Sequence, residues 1–121
     1  MEPMKTRISV EYTDGGTVIA FNDEKILEEK GIQALQDSIM SVVEQSAQIK
    51  LILDFRNVKF LSSAVLGLLI RISKKVYEYD GQLRLCNIDP KIYEIFKITR
   101  LTKIFDICQS MDDAMESLSS E

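Results

Sequence analysis

Histidine is absent from this 121-residue chain. That removes Ser-His-Asp and Cys-His catalysis and any histidine metal site, because each needs an imidazole to move a proton or hold a metal. Cysteine is scarce: Cys86 and Cys108 are the two present, too widely separated for a C-x-x-C redox or zinc motif. Each sits inside an apolar, strand-like run, so the expectation is two buried free thiols. A glycine-rich phosphate loop is missing as well. Asp14-Gly15-Gly16 has neither the G-x-G-x-x-G nor the G-x-x-x-x-G-K-S/T spacing and lies between strand-like runs, where a tight turn explains it.

An excess of positive charge is also lacking. With a net charge of −4, a duplex's phosphates are repelled on average, so no direct nucleic-acid partner is expected. The short basic groups Arg71-Lys74-Lys75 and Arg100-Lys103 read as solvated helix faces and are assigned no ligand. No long hydrophobic run occurs. The stretch from Ala64 to Ile70 falls far short of the ~18 apolar residues of a membrane span, and Met1 to Arg7 is polar. The expectation is a cytoplasmic protein without a membrane partner. The adjacent acids Asp23-Glu24, Glu28-Glu29 and Asp112-Asp113 point in different directions, which suits solvated faces or helix starts rather than a catalytic pair. No catalytic residue, metal or cofactor is expected.

What is present suits one globular domain. Hydrophobic residues make up 45% and charged residues 28%, far from the composition of a disordered chain, so one domain over residues 1–121 with a core of about 6–118 is expected. Arg7 to Tyr12 alternates polar and apolar, the Asp14-Gly15-Gly16 turn follows, and Thr17 to Phe21 resumes: a hairpin. Ile32, Leu35, Ile39, Val42 and Val43 mark one face of a helix, with Gly31 in its first turn. Leu51-Ile52-Leu53, closed by Asp54, is an unbroken apolar run and predicts a central strand covered on both faces.

Beyond it, Ser62-Ser63 precedes a broad apolar helix face at Val65, Leu66, Leu69, Ile70, Ile72 and Val76 that ends at Gly81. Gln82 to Cys86 predicts a strand, and Asp89-Pro90 a capped helix through Ile92, Ile95, Phe96 and Ile98. Ile104 to Cys108 predicts another strand, and Ser110 to Asp113 opens a final helix with Met115 and Leu118. This order predicts an α/β fold: a mixed sheet of about four to five strands, joined by right-handed crossovers, with helices packed against it.

Ser62-Ser63 stands out because a strand-to-helix connection delivers unpaired backbone N–H groups there. Ordinary capping is one reading. The other is phosphorylation, since a phosphoserine carries about −1.5 to −2 charges to a place that tolerates anions.

Three stretches resemble the STAS family, specifically its stand-alone anti-sigma factor antagonists. They are Leu51 to Phe55 with Val58 and Phe60 through Leu69, Gly81 through Asn87, and Ile92 to Phe96 with Thr99-Arg100-Leu101 and Ile104-Phe105. The family's acceptor motif usually reads Asp-Ser-Ser/Thr-Gly-Leu-Gly. Anchored on Leu66-Gly67, it places Ser62 at the aspartate, Ser63 at the first serine, Ala64 at the second hydroxyl and Val65 at the glycine.

The resemblance implies a single STAS domain that is not an enzyme. It implies partner switching: the unmodified domain binds an anti-sigma factor that is also a serine kinase, phosphorylation releases it, and a serine phosphatase resets it, so controlling sigma-factor-dependent transcription. Ser63 is the expected acceptor and Ser62 the second choice. Asn22, Asp23, Ala64, Val65 and Gly67 are the expected partner contacts, and a monomer is the default. The departures at Ala64 and Val65 keep an alternative open, a non-phosphorylated STAS scaffold or ligand-binding module.

Overall fold

A computed structural model describes residues 8–23, 25, 26 and 29–119. The expected strand start at Arg7, Glu24, Leu27, Glu28 and the tail residues Ser120 and Glu121 lie outside these residues.

The hairpin forms where the alternation places it. Strand β1 (Ile8–Thr13) runs antiparallel to β2 (Gly16–Phe21), and the Thr13 hydroxyl closes the turn by accepting from the Gly16 N–H at 3.0 Å. The chain continues through β3 (Lys25–Ile26), α1 (Glu29–Glu44), β4 (Lys50–Asp54), β5 (Phe60–Leu61), α2 (Ser63–Glu78), β6 (Gln82–Cys86) and α3 (Pro90–Ile98). A 3-10 turn (Leu101–Lys103), β7 (Ile107–Cys108) and α4 (Met111–Ser119) complete it. Among the described residues the result is a five-stranded mixed sheet, ordered β1-β2-β4-β6-β7, with four helices. Only β1 runs against its neighbour; the β2–β4, β4–β6 and β6–β7 pairs are parallel.

The unbroken apolar run of β4 is explained by its central place. Leu51 and Leu53 join Ile19, Phe21, Leu83 and Leu85 in a core shared with α1 and α2, whereas Ile52 points the other way, onto Val18, Cys86 and the α4 residues Ala114 and Leu118. Between Lys50 at its start and Asp54 at its end, a strand buried on both faces has no position for a polar side chain. Each such fully buried Leu or Ile contributes about 1.5–3 kcal/mol over leaving it in water.

Local signals set the helix ends. Asp89 caps α3 by accepting from the Lys91 N–H at 2.9 Å, with Pro90 in the first turn, and Ser110 caps α4 by accepting from the Asp113 N–H at 3.2 Å. The α2 helix stops just before Gly81, as expected. Asp80, not Gly81, takes the left-handed conformation (φ 60°), while Gly81 donates back to the Val76 carbonyl at 2.8 Å. Gly81 is needed for space: a Cβ there would sit 2.6 Å from the Ile49 carbonyl oxygen.

The expected strand from Ile104 to Cys108 is corrected to Ile107–Cys108. Arg100 adopts a left-handed conformation (φ 64°), and the 3-10 turn carries Ile104 to the surface, leaving two residues to pair with Leu85 and Cys86. Cys108, expected to be buried, is half-buried, whereas Cys86 is buried as expected. No helix among the described residues is long and apolar enough to cross a membrane.

Candidate functional site

The site is built where β4 ends. Asp54 is buried and fully engaged: Oδ1 accepts from the Arg56 N–H at 2.9 Å and from Asn87 Nδ2 at 3.0 Å, and Arg56 Nη2 lies 3.5 Å from Oδ2. The loop after it is held at several points. Phe55 N–H donates to the Cys86 carbonyl at 3.0 Å, the Phe55 ring packs 4.9 Å from that of Phe21, and Val58 is buried. The solvent-facing pair of Lys59 and Asp89, 3.9 Å apart, adds little to this anchoring.

A second strand pair, invisible in the sequence pattern, finishes the positioning. β3 and β5 lie parallel, with Lys25 opposite Phe60 and Ile26 opposite Leu61. The segment just after Asn22-Asp23 is thereby hydrogen-bonded to the residues just before Ser62-Ser63, so the fold joins two stretches that the sequence keeps far apart. Asn22 is exposed and accepts from the Ser9 hydroxyl at 3.1 Å; Asp23 is half-buried.

The two serines differ in environment. Ser62 is the N-cap of α2 in an extended conformation, and its carbonyl accepts from the Val65 N–H at 3.0 Å. Its side chain makes no capping bond. Its Oγ is the one buried side-chain polar atom without a hydrogen-bond partner among the described residues. Ser63, the first helical residue, is exposed. An α-helix leaves its first N–H groups outside its own ladder, and no acidic residue occupies the first turn of α2 to neutralise them.

Of the other expected contact residues, Ala64 and Gly67 are half-buried, and a Cβ added at Gly67 would meet only the Arg71 guanidinium, at 3.5 Å. Val65 is corrected: it is fully buried and offers no surface to a partner. Its place in the apolar face of α2 was the better guide to its role than its place in the motif. On the opposite face of the sheet, beside α4, an open cleft of about 440 Å³ is lined by Val18, Ala20, Asp54, Arg56, Met111 and Met115 among others.

An α/β domain that presents a serine at the start of a core-packed helix is the class this geometry defines. The STAS domain family matches residues 9–114, and the chain belongs to it. The anti-sigma-B factor antagonist of Bacillus subtilis is 27% identical over 82 residues, covering 68% of this chain and 73% of that protein. An anti-sigma-factor antagonist (STAS) domain protein from Planctomyces limnophilus has the same fold, with a TM-score of 0.86 at 22% identity, covering 93% of this chain and 98% of that one. The Bacillus cell fate determinant SpoIIAA, solved in its phosphorylated form, superposes with a TM-score of 0.68 at 18% identity, over 92% of this chain and 98% of that one.

Proposed function

We propose that this chain is a cytoplasmic partner-switching regulator whose state is written on Ser63. Unmodified, it uses Ala64 and Gly67 on α2, with Asn22 and Asp23 after β2, to hold an anti-sigma factor that is also a serine kinase. The sigma factor is then free to direct transcription. The kinase transfers the γ-phosphoryl group of ATP to Ser63 Oγ, the hydroxyl proton passes to the kinase's base, and ADP leaves. A serine phosphatase restores the hydroxyl. Antagonists of this family are non-enzymatic regulators, and in this reading the chain is the substrate of the reaction.

The observation that carries the reading is the contrast between the two serines: Ser63 is exposed at the positive end of α2, while the Ser62 hydroxyl is buried. A phosphate on Ser63 would meet the amides of the helix start, so the domain keeps its fold while its surface changes. At a docked interface, like-charge repulsion or desolvation of about 3 kcal/mol lowers affinity roughly a hundredfold, enough for a switch. Phosphorylation as a stable state of this fold has a precedent in SpoIIAA.

The test is intact mass and phosphosite mapping of the protein from its native cells, alongside Ser62→Ala and Ser63→Ala. One phosphate, lost only in Ser63→Ala, supports the switch. No phosphate on the protein under any growth condition overturns it. The second reading then applies, a non-phosphorylated scaffold or ligand-binding module. It is favoured by Ala64 at the motif's second hydroxyl and by the open cleft beside α4.

A further inference from the structure

Cys86 and Cys108 are register partners on the parallel strands β6 and β7, each the last residue of its strand. Both face α4. Cys86 lies in the cluster of Val18, Ile52, Ala114 and Leu118, and Cys108 packs against that cluster with Met111 and Met115. Neighbouring strands lie about 4.8 Å apart, inside the Cα separation of roughly 4.4–6.8 Å that a disulfide spans. Same-face Cβ atoms begin about as far apart as the strands and must approach to within about 4.5 Å. β7 can supply that movement, because it is a two-residue edge strand paired on one side only.

The two thiols are free and unequal in access. Cys108 is half-buried and lines an open recess of about 540 Å³ with Ile88, Pro90 and Tyr93, whereas Cys86 is fully enclosed. Burial pushes the Cys86 thiol up to about 12, with Asp54 and then Cys108 acting in the same direction and Arg56 opposing them. The accessible sulfur is therefore the one an oxidant reaches first, and the enclosed sulfur is held beside it.

We propose that Cys86 and Cys108 form a redox-controlled disulfide that staples β7 and the start of α4 to β6. A hydroperoxide is the oxidant. Its O–O bond breaks as Cys108 Sγ takes the terminal oxygen, giving a sulfenic acid and an alcohol, or water when the oxidant is hydrogen peroxide. Cys86 Sγ then attacks the Cys108 sulfur: the S–S bond forms, the S–O bond breaks, and the hydroxyl leaves as water with the Cys86 proton. Overall the two thiols give up two electrons and two protons and the peroxide is reduced. Because Cys86 holds its proton tightly, the second step is the slower one, and the sulfenic acid on Cys108 accumulates before the bridge closes.

The test is treatment of the full chain with hydrogen peroxide, followed by intact mass, thiol titration and peptide mapping without reduction. The expected product is lighter by two hydrogens, has lost both thiols, yields a linked peptide pair containing Cys86 and Cys108, melts at a higher temperature and reverts with dithiothreitol. Dimedone added early should label Cys108 and block the bridge. Cys108→Ser, at a half-exposed position, should fold and keep its remaining thiol unreactive, while Cys86→Ser should stop at oxidised Cys108. Oxidation of Cys108 to sulfinic or sulfonic acid with the Cys86 thiol intact, a dimer joined through Cys108, or no loss of either thiol would each overturn the proposal.

Discussion

Asn87 donates from Nδ2 to Asp54 Oδ1 at 3.0 Å, tying the turn after β6 to the buried end of β4. Asn87 can do so because it holds a left-handed backbone (φ 58°), which asparagine tolerates better than most residues, and because Asp54 closes the central strand, which is covered on both faces. The same carboxylate holds Arg56 N–H, so a single buried acid organises the loop leading to the serines.

Asp54→Ala should therefore lower the unfolding free energy by about 2–4 kcal/mol, because it leaves Arg56 N–H and Asn87 Nδ2 without their acceptor. Asn87→Gly keeps the left-handed turn but loses the bond, at about 1 kcal/mol, whereas Asn87→Ala adds backbone strain and should cost more. Urea denaturation of the three variants checks the ranking. Equal losses in both Asn87 variants would mean that the backbone conformation contributes nothing.

Replacing an N-cap serine by alanine usually costs about 1 kcal/mol. At Ser62 the change should stay within about 0.5 kcal/mol, because the hydroxyl makes no capping bond and its buried oxygen has no partner to lose. The measurement is the urea midpoint at constant slope. A loss near the usual value would show that the hydroxyl is bonded in solution.

Ser63→Glu places a carboxylate on the first residue of α2. The domain should gain about 0.3–1 kcal/mol from the helix dipole and keep its circular-dichroism spectrum. Binding to the anti-sigma factor should fall at least tenfold, while Ser63→Ala leaves it nearly unchanged. Stability by thermal melting and affinity by calorimetry separate the two effects. A Ser63→Glu protein that binds as well as the parent would contradict a switch at this serine.

The Cys86 thiol predicts a dependence on alkaline pH. Its value is raised from 9.0 in the unfolded reference to about 12 in the fold, so the native state keeps a proton that the unfolded chain releases. The stabilisation is complete below pH 9 and is lost as pH rises toward 12, by up to about 1.4 kcal/mol per pH unit. Cys86→Ala should flatten that part of the curve. Unfolding free energies of both proteins between pH 8 and pH 11 give the difference directly, and parallel curves would rule out the shift.

Short-range patterns carried much of the architecture. The hairpin follows from alternation and an Asp-Gly-Gly turn, the central strand from three consecutive aliphatic residues, and α3 from an Asp-Pro start, each a signal confined to a few neighbouring residues. The expectation at β7 was too long because Ile104 and Phe105 are as apolar as strand residues, and only the left-handed Arg100 and the turn after it separate them from the sheet. The helix end expected at Gly81 is observed, and the crowding of the Ile49 carbonyl is what requires glycine there.

Ser62-Ser63 was legible as a helix start, and the family resemblance implied a phosphate acceptor there. Local chemistry could not tell which hydroxyl faces water, that Val65 turns wholly inward, or that β3 and β5 pair. Nor could it place Asn87 against Asp54, or Cys86 beside Cys108. The sequence alone determined the kinds of elements, their order and most of the core, because periodicity and caps act over one or two turns of chain. Tertiary structure decided which distant residues meet, because strand register and burial depend on the packing of the whole sheet at once.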